Sequence, residues 1–217
     1  MSARRGLFVT LEGGEGAGKS TVLSAIGSTL DDAGVPYVVT REPGGTALGE
    51  ALRALVLDPR HAATCAESEL LIMFASRAQL VREVVRPALE SGRWVVSDRF
   101  TDASFAYQGG GRGLPDALIA DLERWAIGGL RPNRTILLDV PVAVGLGRIA
   151  ARAGGRDRME AQGEAFFERV RAAYRARAAA EPARFHVVDA TLPAPAVAAA
   201  VSASLLPLAR QWWESAP

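Results

Sequence analysis

The sequence predicts an α/β fold, a doubly wound five-stranded parallel sheet flanked by helices. Five short apolar runs recur along the chain: LFVTL at 7–11, YVVT at 37–40, WVVSD at 94–98, TILLD at 135–139 and FHVVD at 185–189. Strands that are apolar at successive residues are buried on both faces, the pattern of a parallel sheet covered by helices. Each run is separated from the next by helix-like sequence, so crossover connections are available throughout. Three of the runs end in aspartate, at the carboxyl edge where such sheets place their ligands.

Taken in order, helices are predicted at 19–33, 46–57, 67–90, 115–127, 141–153, 164–180 and 194–213, with Pro87 bending the end of the third. The stretches 172–180 and 194–204 are rich in alanine, the best helix former. GGGRG at 109–113 and AGG at 153–155 read as flexible breaks. With 217 residues, 49% hydrophobic and 23% charged, the chain is long enough for one full-sized core, and a single domain over 1–217 is expected. The formal net charge of +1 argues against a protein that coats nucleic acid or a membrane surface, so any anion site must be local. Cys65 is the only cysteine, which excludes an internal disulfide and a cysteine-only metal site; it reads as a free thiol without a role. No apolar run approaches a bilayer span and no secretion segment precedes the first strand, so a cytoplasmic protein is expected.

EGGEGAGKST at 12–21 carries the strongest signal. Gly13, Gly18, Lys19 and Ser20 fit G-x-x-x-x-G-K-[ST] between an apolar strand and a helix, the context that makes this pattern specific. The run Gly13, Gly14, Glu15, Gly16, Ala17, Gly18, Lys19, Ser20 and Thr21 is therefore expected to bind the phosphates of ATP through backbone N–H groups and the helix N-terminus. Lys19 is the only lysine among 25 basic residues. A compact ammonium on a flexible stem reaches between the β- and γ-phosphates inside such a nest, where a planar guanidinium fits less well. Ser20 can ligate Mg²⁺.

A phosphate loop alone leaves two classes open, a phosphoryl-transfer enzyme and an ATPase switch that acts on a protein partner. A guanine-nucleotide switch needs a second lysine to read its base, and none is present. A small-molecule kinase needs an acceptor site and a lid that excludes water, and both have candidates.

Across nearly its whole length the chain resembles the thymidylate kinase family. The matching stretches are EGGEGAGKST (12–21), TREPGGT (40–46), FASR (74–77), DRFTDASFAYQGGGRG (98–113), DRME (157–160) and VVDAT (187–191). The resemblance implies transfer of a phosphoryl group from Mg·ATP to dTMP, giving dTDP for dTTP synthesis and DNA replication, and it implies a homodimer. The long helix 67–90 is a candidate for the dimer contact.

Asp98 and Arg99 end the third predicted strand beside the phosphate loop. Asp98 can order Mg²⁺ and its waters, and Arg99 can grip the acceptor phosphate in bidentate fashion. A structural ion pair is the competing reading for both. Glu15 sits inside the loop, where a carboxylate repels the donor; the family implies contact with the acceptor sugar's 3′-hydroxyl or the Mg²⁺ hydration shell. Glu42 and Pro43 belong to a turn that the family places over the acceptor, with Arg53 about two helical turns on, near its phosphate or simply exposed.

Phe74 and Arg77 share a helical face, so a ring and a guanidinium can address one planar base. The resemblance assigns them stacking and recognition of thymine O4; core packing is the alternative for Phe74. Many relatives place the aromatic four residues before the arginine, where this chain has Met73, and which of Met73 and Phe74 stacks stays open. Ser104 and Gln108, one turn apart, can meet the base edge or its waters, and Tyr107 can lie beneath C2′; all three are equally readable as packing or capping residues. Arg148, Arg152 and Arg156 follow i, i+4 spacing, with Arg158 beside Asp157, and like charges stacked this way need an anion to offset them. They mark a lid at about 150–162, and because the phosphate-loop interior, residues 14–17, holds no basic residue, the resemblance implies that the catalytic arginine comes from this lid, in the order Arg152, Arg156, Arg158. A solvated helix face is the other reading of this charge run. Asp189 falls in the loop expected on the adenine side, or serves as a strand-end cap. His61 and His186 show no metal-ligand spacing.

Overall fold

The computed structural model describes residues 4–151 and 157–215. Five strands, β1 (Phe8–Gly13), β2 (Tyr37–Arg41), β3 (Trp94–Asp98), β4 (Arg134–Asp139) and β5 (Phe185–Asp189), form one parallel sheet in the order β2-β3-β1-β4-β5. The central strand β1 is buried at every residue, as its unbroken apolar run requires, whereas the edge strands β2 and β5 are half covered. In register, Leu11 lies between Asp98 and Ile136, and Gly13 lies beside Leu138, so the carboxyl ends of the three central strands open at one edge. From β1 the chain crosses toward β2 and from β4 it crosses toward β5. The crevice that this divergence leaves at the strand ends is where a doubly wound sheet binds ligands.

The helices are α1 (Lys19–Asp32), α2 (Ala47–Leu57), α3 (Ala66–Leu80), α4 (Arg86–Glu90), α5 (Thr101–Ser104), α6 (Asp116–Ile127), α7 (Val142–Ala150), α8 (Glu164–Ala180) and α9 (Ala194–Glu214). On one face of the sheet, Val22, Ile26 and Leu30 of α1 and Val201, Leu205 and Trp212 of α9 bury Val9, Leu11, Val96 and Ile136. On the other face, Val170 and Tyr174 of α8 pack near Leu137, and Leu80, Val85 and Leu89 pack near Phe8 and Val95. No helix among the described residues is long and apolar enough to cross a membrane.

Two elements differ from the sequence reading. The predicted helix 67–90 is interrupted by a π-helical turn, Val81–Val85, between α3 and α4. Pro87 has no N–H to offer the carbonyl of Glu83, and the turn widens so that the Arg86 amide reaches Val81 instead. Of the stretch expected to break at 109–113, residues 109–111 are instead helical, since α5 continues as a π-helical segment, Phe105–Gly111, and the break comes only at 112–113. Its glycines serve close packing. A Cβ at Gly110 would stand 2.7 Å from the Ala173 Cβ, and one at Gly111 would stand 2.5 Å from the Phe166 ring, so only glycine lets α8 come this near. The predicted helix 141–153 ends at Ala150, and its last two residues lie outside the described ones.

Glu12, fully buried at the end of β1, joins this scaffold to the site. Its Oε1 accepts the Phe100 amide at 2.7 Å and its Oε2 accepts the Tyr174 hydroxyl at 2.7 Å. Burial pushes its pKa up to about 8, helped by the neighbouring Asp102 carboxylate and opposed by Arg99 and the two hydrogen bonds. The folded state thus holds a proton that the unfolded chain has already released. This contribution to stability is complete below the ordinary glutamate pKa and is lost as pH rises through about 8. Accordingly, Glu12→Gln should flatten the fall in Tm between about pH 5 and about pH 8. Superimposable Tm profiles for parent and variant would contradict this assignment.

Candidate active site

The site begins at the end of β1, where Gly13, Gly16 and Gly18 take positive φ values of 146°, 71° and 88° and turn the loop around the N-terminus of α1. α7 presses directly on this loop. A Cβ on Gly16 would stand 2.1 Å from the Gly145 carbonyl oxygen, and one on Gly145 would stand 2.3 Å from that of Glu15, so both backbones must be bare. Lys19 curls back so that its Nζ donates to the carbonyls of Gly13 at 3.3 Å and Gly14 at 3.4 Å. Burial lowers its pKa and the nearby Arg99 lowers it further, against the opposing pull of Glu15, Asp98 and Glu12.

Beyond β3, Arg99 has φ of 72°, the only non-glycine residue with positive φ among the described residues. Hydrogen bonds on both sides hold this conformation. The Arg99 amide donates to Leu11 O at 3.0 Å, the Arg99 carbonyl accepts from Ser97 Oγ at 2.7 Å, and the next amide is the one Glu12 receives. The guanidinium is thereby aimed at the loop, donating through Nη1 to Gly13 O at 2.9 Å and through Nη2 to Glu15 Oε1 at 2.6 Å. Tyr107 closes the group. Its hydroxyl donates to the same Glu15 oxygen at 2.8 Å, and its ring lies 4.8 Å from the Arg99 Cζ.

These side chains share one cavity of about 450 Å³. Among the residues singled out from sequence, its wall gathers Glu15, Gly16, Ala17, Gly18, Lys19, Ser20, Glu42, Pro43, Arg53, Met73, Asp98, Arg99, Tyr107 and Gln108. Arg53 is turned toward the EPGG turn, with its Nη1 on Pro43 O at 3.0 Å. Gly13 and Gly14 lie behind the wall and offer their carbonyls to Lys19.

Besides Gly13 and Gly14, the expected residues Phe74, Arg77, Ser104, Thr21, Asp189 and Arg158 are not on this wall. Phe74 packs with Leu70, Phe105 and Ile119, because the face of α3 that it occupies is turned to the core; of the two stacking candidates only Met73 reaches the cavity. Arg77 is fully buried, its Cζ 4.5 Å from the Phe74 ring, and it donates to Glu42 Oε2 at 2.7 Å, Ser104 Oγ at 3.0 Å and Phe100 O at 3.1 Å. Ser104 is buried as that partner. Thr21 points to solvent one residue beyond the loop, and Asp189 is exposed and caps its own turn, accepting from Thr191 N and Oγ1. Arg152 and Arg156 lie outside the described residues. Arg158, third in the expected order, is turned into the protein, where Nη2 meets Glu69 at 2.6 Å and Nε meets Val56 O at 2.7 Å.

The wall also includes residues that the sequence reading did not assign to the site, among them Arg41, Glu69 and Arg148. Arg148 bridges the phosphate loop and the β5 loop, donating to Gly16 O at 3.3 Å and Ala190 O at 3.0 Å. Its i, i+4 place among the lid arginines was a usable signal. Arg41 adjoins the EPGG motif, whereas nothing in the local sequence marked Glu69.

The donor set bears on a metal. Asp98 Oδ1 is buried without a hydrogen-bond partner, and Ser20 is exposed at the same wall. No group of three or more His, Cys, Asp or Glu placed to hold a metal ion occurs among the described residues. One hydroxyl and one carboxylate fit Mg²⁺, which takes few protein oxygens and completes its shell with water and phosphate.

A nest for donor phosphates facing a separate arginine-lined pocket across one cavity is how P-loop phosphotransferases bring two small molecules together, and the geometry puts this chain in that class. The comparisons narrow it. Residues 11–201 match the family model for thymidylate kinase. The chain is 54% identical over 205 residues to a thymidylate kinase of Halorhodospira halophila (strain DSM 244 / SL1), covering 94% of this chain and 95% of that one. A thymidylate kinase of Pseudomonas entomophila (strain L48) is also 54% identical, over 200 residues, 92% of this chain and 95% of the relative. The crystal structure of thymidylate kinase from Ehrlichia chaffeensis superposes with a TM-score of 0.74 at 30% identity, covering 93% of this chain and 98% of that chain. The chain belongs to the thymidylate kinase family.

Proposed function

We propose that the chain transfers the γ-phosphoryl group of ATP to dTMP, giving ADP and dTDP. The observation that carries this is the junction at Glu15, where the phosphate loop meets Arg99 and Tyr107 of the facing pocket, in a chain of this family. Lys19 and the loop amides orient the donor phosphates, Arg99 and Arg53 hold the acceptor phosphate, and transfer proceeds in line with no covalent intermediate on the protein. Ser20 and Asp98 would hold Mg²⁺, which would supply charge neutralisation at the donor phosphates. Tyr107 lies beneath the sugar and crowds a 2′-hydroxyl, which favours deoxyribose.

Arg152 and Arg156 supply transition-state charge from the lid. Replacing either with alanine should lower kcat about tenfold or more while leaving the KM for dTMP near the parent value. If neither variant loses that much, the lid assignment fails.

The working setting is cytoplasmic and the working unit is a homodimer of two copies of the chain. The neighbouring helices α2, α3 and α6 leave Leu48, Leu55, Leu71, Leu118 and Trp125 exposed, Trp125 at 85%, which is apolar surface that a second copy would cover. Sedimentation velocity at micromolar concentration reads this directly, and a monomer there would refute it.

ADP release measured with and without nucleoside monophosphates separates this function from an ATPase switch. Stimulation by dTMP is expected, and a basal rate unmoved by any monophosphate would favour the switch.

A further inference from the structure

The floor of the cavity holds a buried carboxylate that none of these roles uses. Glu69 of α3 is fully buried and receives four donors. Oε1 accepts from Gln108 Nε2 at 2.9 Å and Arg112 Nε at 3.3 Å; Oε2 accepts from Arg112 Nη2 at 3.0 Å and Arg158 Nη2 at 2.6 Å. Burial alone would raise its pKa, but the hydrogen bonds from Arg112, Gln108 and Arg158 hold it below the ordinary glutamate value. It is an anion at neutral pH and can only accept.

That fixes a neighbour. A carboxylate takes donors alone, so the Gln108 amide has one allowed orientation, nitrogen toward Glu69 and oxygen away. Gln108 is a wall residue 1% exposed, and its Oε1 is buried with no partner. An acceptor fixed in this way waits for a donor from whatever fills the cavity. Thymine and uracil carry a ring N–H between two carbonyls, whereas cytosine presents a bare ring nitrogen at the same place, which would set lone pair against lone pair. Arg77, the sequence candidate for base reading, spends donors on Glu42, Ser104 and Phe100.

We propose that Glu69 is a positioning residue for base choice: by holding the Gln108 amide nitrogen it keeps Gln108 Oε1 as an acceptor for the imide N–H of the acceptor nucleotide. The inference rests on the dTMP kinase reading and deepens it. The same carboxylate ties the base pocket to the foot of the lid, since Arg158 also donates to Val56 O through its side chain and to Leu57 O through its amide.

The test is the ratio of kcat/KM for dTMP over dCMP in the parent and in Glu69→Gln. Glutamine is near in shape but can donate as well as accept, so the Gln108 amide is free to turn. The ratio should narrow by about tenfold or more, chiefly through KM. An unchanged ratio with reduced activity would mean that Glu69 only braces the fold. Because that variant leaves two arginines without their anion, binding to folded parent protein gives a second reading. Titration calorimetry with dTMP and its N3-methyl derivative should show the methylated ligand about tenfold weaker or more, and Gln108→Leu should close that gap. Equal affinities in the parent, or a gap unmoved by Gln108→Leu, would overturn the proposal. If the parent does not phosphorylate dTMP at all, the functional reading falls and takes this inference with it. Normal dTMP turnover with an unchanged ratio removes the inference alone.

Discussion

Lys19→Arg should lower kcat by about two orders of magnitude or more although the charge is conserved, a loss of roughly 3 kcal/mol of transition-state stabilisation. The ammonium has a small berth. Its Nζ is held by the carbonyls of Gly13 and Gly14, and the Gly13 oxygen already receives the Arg99 guanidinium at 2.9 Å. A second broad, planar cation must either displace Arg99 or leave the loop, and either outcome misplaces charge where the γ-phosphate is transferred. A chain otherwise furnished only with arginine keeps lysine here because geometry, and not charge, is limiting. Steady-state kcat within about threefold of the parent, at unchanged Tm, would show that the nest tolerates a guanidinium.

Arg99→Lys is the second large effect, expected to lower kcat/KM for dTMP about a hundredfold while KM for ATP changes little. Arg99 uses two different nitrogens to span Gly13 O and Glu15, and a bidentate grip on a phosphate needs the same fork. Lysine offers one nitrogen and cannot do both. The left-handed backbone at this residue is held by Leu11, Ser97 and Glu12, none of which is altered, so the loss reports on the side chain. A decrease smaller than about fivefold would remove Arg99 from the acceptor site.

The parts of the protein fixed by local pattern were legible in the sequence. The strands could be read from their short apolar runs, unbroken where β1 is buried on both faces and still apolar at the half-covered edges β2 and β5, and the phosphate loop because its glycines have a spacing that few other structures need. What depends on tertiary partners was not legible. GGG at 109–111 has the composition of a loop, and only the approach of α8 makes it helical. Phe74 and Arg77 share a helical face, yet that face is the one α3 turns inward, so the pair sits beneath the cavity and not on its wall. Glu69 looks like any acidic residue in a first helical turn, and its role exists only because Gln108, Arg112 and Arg158, all distant in sequence, converge on it.

Direct transfer between two bound nucleotides is the centre of this account, and following the label of γ-³²P-ATP tests it most directly. With parent protein and dTMP present, the label should appear in dTDP, the free phosphate should stay near background, and Lys19→Arg should remove the dTDP signal. Label released as inorganic phosphate at the same rate with or without dTMP, and none in dTDP, would contradict it.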